Sequence, residues 1–105
     1  MAVKVVTQAD SGTIARLTVG DVLEVRLSER PTGHVWTMST LPKLSAVVSE
    51  QFEAPDPLIP GAAGNHVWRV RADNPGSEQL SFVHRRPWEG TKPPSQTFEL
   101  TLVIS

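Results

Sequence analysis

The chain has no cysteine and no tyrosine. Without a thiol there is no disulfide, no thiolate nucleophile and no cysteine-held metal. An excess of charge of either sign is missing too: ten Lys and Arg stand against eleven Asp and Glu. A protein that binds nucleic acid through phosphates carries a basic patch or stripe. Here Arg85 and Arg86 are adjacent but isolated, so no nucleic-acid partner is expected. No apolar run approaches the ~20 residues of a membrane helix, and no membrane contact is expected. The opening Met1-Ala2-Val3-Lys4-Val5-Val6 lacks the charged-then-apolar layout of a signal peptide. That leaves the cytoplasm, or export with a leader already removed. A Gly-x-Ser-x-Gly elbow, a zincin motif and a nucleotide loop are also lacking. No enzyme activity, cofactor or metal is expected.

What is present reads as strands. The 105 residues suit one domain over 1–105, long enough to need no covalent staple. Nine prolines and seven glycines break the chain into short runs rich in Val, Leu, Thr and Trp, which favours sheet over helix. The clearest alternation lies near the C-terminus, where Phe98, Leu100, Leu102 and Ile104 share one face and Thr97, Glu99 and Thr101 the other. Leu23, Val25 and Leu27 alternate with Glu24 and Arg26. Trp68, Val70 and Ala72 alternate with Arg69 and Arg71, and Leu80 and Phe82 with Ser81 and Val83. Between the last two runs, Asp73-Asn74-Pro75-Gly76-Ser77 is a tight-turn signal, so Val67–Ala72 and Glu78–Arg85 are expected to form an antiparallel hairpin. Val35–Thr40 and Ser45–Phe52 are further strands, and Lys4–Thr7 and Thr13–Leu17 are expected at sheet edges. The expected fold is all-β: an immunoglobulin-like sandwich of seven or eight antiparallel strands with no significant helix. Trp36 and Trp68 fall inside strands and read as core.

Three connections are more specific than a link requires. The first is Glu29-Arg30-Pro31-Thr32-Gly33-His34, before Trp36. The second is Ile59-Pro60-Gly61-Ala62-Ala63-Gly64-Asn65, before Trp68. The third is His84-Arg85-Arg86-Pro87-Trp88-Glu89-Gly90. They join alternate strands, which in a Greek-key sandwich places them at one end.

In this order the motifs resemble the chagasin family of inhibitors of papain-like cysteine peptidases. Members carry an Asn-Pro-Thr-Thr-Gly loop shortly before a Trp, a Gly-x-Gly-Gly-like loop and an Arg-Pro-Trp loop. Arg86-Pro87-Trp88 matches the third, Gly61-Ala62-Ala63-Gly64 is a variant of the second, and Pro31-Thr32-Gly33 matches most of the first. The resemblance spans residues 20 to 104. It departs in having one Thr before Gly33, Arg30 in place of Asn, His34 where an aromatic often follows, and Ala63 in place of Gly. The shorter first loop alters its reach.

The resemblance implies a partner, a papain-like cysteine peptidase, whose active-site cleft three adjacent loops fill without being cleaved. It implies peptidase-binding roles for Arg30, Pro31, Thr32, Gly33 and His34, for Gly61, Ala62, Ala63 and Gly64, and for Arg86, Pro87 and Trp88. The residue chemistry suits those roles. Proline fixes φ and lowers the entropy lost on docking. Gly33 lets backbone approach a catalytic Cys–His pair, and Thr32 brings a hydroxyl. Trp88 is the type of residue that dominates binding energy; the alternative is that it folds back over the sandwich end. Arg86 either meets acidic groups on a partner or braces its own loop. The competing function is an immunoglobulin-like adhesion or assembly module. His34, His66 and His84 border the loops without metal-ligand spacing, and a monomer is expected.

Overall fold

In β8 (Gln96–Ile104), Phe98, Leu100, Leu102 and Ile104 are all buried. The alternation that marks the run as a strand also aims it at the core. In a computed structural model, which describes residues 2–29, 34–55, 57–86, 88 and 93–105, the chain forms eight strands. The others are β1 (Val3–Thr7), β2 (Ile14–Leu17), β3 (Val22–Glu29), β4 (Val35–Met38), β5 (Ser45–Glu53), β6 (Gly64–Ala72) and β7 (Gly76–Arg85). Among the described residues the one helical piece is a 3₁₀ turn, Gln8–Asp10. The strands form two four-stranded sheets, ordered β1-β3-β6-β5 and β2-β8-β7-β4. One core lies between them, built on Leu23, Val25, Leu27, Trp68 and Val70 from the first sheet and Trp36, Leu80, Phe82, Leu100 and Leu102 from the second.

Two expectations need correction. The strands are not all antiparallel: β1 pairs parallel to β3, and β2 parallel to β8. A parallel pair needs a crossover connection, and β2 in the opposite sheet supplies it between β1 and β3. The expected hairpin of Val67–Ala72 with Glu78–Arg85 also does not form. β6 sits between β3 and β5, while β7 sits between β8 and β4. Their buried faces oppose each other across the core, with the Trp68 and Phe82 ring centroids 4.7 Å apart. The end of β6 is instead tied to the entry of its sheet neighbour β5, because the amides of Asp73 and Asn74 both donate to the Leu44 carbonyl at 3.0 Å. Turn residues and alternation look the same for a hairpin and for a corner between sheets. Both predicted edge positions hold, since β1 and β2 each border a sheet.

Candidate functional site

The register places the three connections at one end. Glu29, closing β3, pairs with Gly64, opening β6; Glu53, closing β5, pairs with Asn65. On the other sheet Val35, opening β4, pairs with Arg85, closing β7, and His84 pairs with Gln96 at the start of β8. Every strand end that carries one of the loops is therefore at the same rim. Arg30, Pro31, Thr32, Gly33 and Pro87 lie outside the described residues.

Each neck is closed by a specific contact. At the first, the Trp36 amide donates to Glu29 Oε1 at 2.7 Å, and Trp36 Nε1 donates to the Ser28 carbonyl at 2.9 Å. The Trp36 indole is 1% exposed, so its polar edge needs that acceptor. At the second neck, Arg26 ion-pairs with Glu53, and it also reaches Glu24 at 3.1 Å. At the third, the Ser95 amide and hydroxyl both donate to the His84 carbonyl at 2.8 Å. The hydroxyl hydrogen is thereby committed, so Ser95 Oγ accepts from Nδ1–H of His84 at 2.9 Å. His34 stacks on His84 at 5.4 Å, and Trp36 lies 4.9 Å from the same ring. These contacts join the first neck to the third. His34 and His84 are thus engaged with aromatic rings, His66 stacks on Trp68, and the described residues contain no metal-ligand cluster.

His84 makes the rim sensitive to acid. Burial, and then the nearby His34, hold its pKa below the ordinary histidine value; Glu29 and a backbone contact from His34 pull the other way and do not prevail. The folded protein therefore binds this proton less readily than the unfolded chain does. Stability from this group is complete above the unfolded value of about 6.5 and is lost as pH falls from there toward the folded value. Glu24 and Glu78 act lower down: burial raises each, but Arg26 and Arg69 around Glu24, and Ser45 with the Leu44 and Lys43 amides around Glu78, leave both lowered. Their contribution holds above the ordinary carboxylate range and fades below it. Urea midpoints between pH 7 and 5 are expected to fall for the wild type and to fall less for His84→Gln; equal slopes would remove His84 as the source.

The second loop is shaped by two glycines with different reasons. Gly61 has φ of +72°, and the Ala62 amide donates to the Ile59 carbonyl at 3.2 Å. With Pro60 ahead of it, this is the pattern of a type II turn, whose third residue requires positive φ. Gly64, expected within a loop, instead opens β6 and is buried. A Cβ there would lie 2.4 Å from Phe52 Cζ and 2.5 Å from the Glu53 carbonyl oxygen. The Phe52 ring can swing aside, but the backbone oxygen cannot. Gly64→Ala is expected to cost roughly 1–3 kcal/mol as an overpacked position, read as a lower urea midpoint at unchanged slope; an unshifted midpoint would mean β5 yields at this point.

Outward from the necks, three large apolar side chains are exposed among the described residues. Trp88 is 72% exposed, so it does not fold back over the sandwich end. The Arg86 guanidinium lies 5.9 Å from the Trp88 ring centroid, within cation–π reach. That contact braces the third loop from inside. Leu58 and Ile59 are 86% and 58% exposed. Neither was expected as a contact residue. The available signal was two large apolar side chains in Pro57-Leu58-Ile59-Pro60, a segment too short and proline-bound to be a buried strand.

Comparison with known proteins agrees with this geometry. The sequence pattern of the chagasin family peptidase inhibitor I42 matches residues 16–102. Chagasin of Trypanosoma cruzi is 28% identical over 103 residues, covering 92% of this chain and 94% of that one. The cysteine protease inhibitor EhICP2 of Entamoeba histolytica superposes with a TM-score of 0.89 at 19% identity, covering 99% of this chain and 96% of the other. PbICP-C, solved in complex with falcipain-2, gives 0.63 at 17% identity over 98% and 89%. The shared fold, the three-loop rim and the family pattern lead to one conclusion: this chain belongs to the chagasin family of peptidase inhibitors and is not an enzyme.

Proposed function

We propose that this chain inhibits papain-like cysteine peptidases by laying the three-loop rim across the active-site cleft. The observation that carries this reading is an exposed, braced Trp88 at the same end as the exposed Leu58 and Ile59. Exposed apolar side chains carried by loops at one rim suit contact with a partner.

The roles follow from residue chemistry. Thr32 and Gly33 approach the catalytic Cys–His pair: glycine adds no side chain to keep the backbone away, and the threonine hydroxyl hydrogen-bonds there. Pro31 and Arg30 set the direction of that loop, and His34 anchors its far side. Trp88 seats its indole on one flank of the cleft, with Pro87 stiffening the loop and Arg86 held against the ring. On the other flank Gly61, Ala62 and Ala63 offer close backbone approach, Gly64 beneath them keeps β6 packed against β5, and Leu58 and Ile59 fill apolar subsites. Falcipain-2 is bound by the relative PbICP-C, which supports a cysteine peptidase as the partner.

Titrating papain with this protein, while following hydrolysis of a fluorogenic peptide, tests the proposal. Stoichiometric loss of activity, with the inhibitor recovered intact, is expected. Unchanged hydrolysis at micromolar protein, repeated with a cathepsin L-type enzyme, would sink it.

A further inference from the structure

We propose that Glu29 is a positioning residue for inhibition, locking the neck of the first loop beside the stacked ring that flanks the second. This rests on the inhibitory reading above and adds a residue that does not itself reach the peptidase. A glutamate closing a strand normally points to water, yet the Glu29 side chain is only 12% exposed. Its Oε1 accepts the Trp36 amide at 2.7 Å and so closes a ring of chain around residues 30–35. The same oxygen lies 3.6 Å from Nδ1 of His66. His66 is the third residue of β6, beyond Gly64. Its Nε2 reaches Glu50 Oε2 at 2.8 Å, and a carboxylate can only accept, so Nε2 carries the hydrogen. Its ring lies flat on Trp68, with centroids 4.0 Å apart and planes within 4°.

One carboxylate therefore holds the neck of the first loop by a hydrogen bond and lies beside the fixed ring at the second without bonding to it. Trp36, whose amide it holds, also meets His84 at the third. Hydrogen bonds to an ionised acceptor are the stronger kind, and this one sits in a neck where water is largely excluded. The benefit to inhibition is preorganisation, because a loop already held in its docked geometry loses less freedom on binding. These contacts sit where Trp36 and Trp68 carry the core up to the rim, so unfolding midpoints are read beside the inhibition constants.

Glu29→Ala removes both contacts. Glu29→Gln keeps a carbonyl oxygen for the Trp36 amide and loses the charge facing His66. Inhibition constants against papain and exchange of the Trp36 amide by NMR separate the cases, with each variant first shown to be folded by circular dichroism. For Glu29→Ala, the inhibition constant is expected to rise by roughly tenfold or more, with the Trp36 amide exchanging faster. Glu29→Gln should restore most of both. His66→Phe keeps the stack on Trp68 and should weaken inhibition severalfold while leaving the Trp36 amide protected; it also serves if Glu29→Ala does not fold. An unchanged inhibition constant for Glu29→Ala, despite a released amide, would overturn the proposal. So would equal losses for the Gln and Ala variants. If the wild type itself fails to inhibit papain, the functional reading fails separately, and amide exchange still decides whether Glu29 holds the neck.

Discussion

Trp88→Ala is expected to weaken inhibition of papain by roughly thirtyfold or more, about 2 kcal/mol, while leaving the unfolding midpoint unchanged. The two halves of that expectation come from one fact. At 72% exposure the indole contributes little to the sandwich and has most of its surface free for a partner. Burying an indole on docking removes a large apolar area from water, and its two side-chain torsions cost little entropy. The guanidinium of Arg86 already sits over the ring, which lowers that cost further. Progress curves should place the loss in a faster dissociation rate, since interface variants mostly differ there. A Trp88→Ala protein that inhibits as well as the wild type would mean the third loop lies outside the interface. One that unfolds earlier would mean the indole supports the fold after all.

The largest effect on stability is expected from Trp68→Ala, at about 3–5 kcal/mol. Trp68 is 1% exposed and lies at the junction of the two sheets. Its ring is 4.0 Å from His66 and 4.7 Å from Phe82, and Phe82 continues to Phe98 at 5.8 Å. Removing it leaves a cavity that neighbours on two facing sheets cannot collapse into without shifting backbone. Proteins of this size are stable by about 5–15 kcal/mol, so the variant loses between about a fifth and the whole of that. The urea midpoint should fall at an unchanged slope, and inhibition should persist where the variant remains folded. A shift below about 1 kcal/mol would show that the aromatic row is not the centre of the core.

The strands were most legible where one face is buried and the other wet, as with Leu100 and Leu102 beside Glu99 and Thr101; β5 is exposed along most of its length and β3 is buried at four successive positions. Periodicity reports the face of a strand but not its neighbour. That is why the hairpin between Val67–Ala72 and Glu78–Arg85 was misread and why the parallel placement of β1 and β2 went unseen. The distinguishing contact, from Asp73 and Asn74 to the Leu44 carbonyl, spans about thirty residues and leaves no local mark. At the rim, Trp88 was legible from its motif, and its exposure turned a choice between two orientations into one. Gly64 was read as loop because glycine signals turns, whereas here it opens a strand, where β5 leaves no space for a Cβ. Glu29 was invisible as more than the polar end of a strand, since its importance lies in an amide seven residues away and a histidine on another strand.

The central claim is that the loop rim occupies the peptidase cleft. Binding of this protein to free papain, compared with papain whose cleft is filled by a covalently attached peptidyl inhibitor, tests it most directly. Tight binding to the free enzyme and its loss with the filled one are predicted. Equal binding to both would place the contact elsewhere on the enzyme and contradict the account.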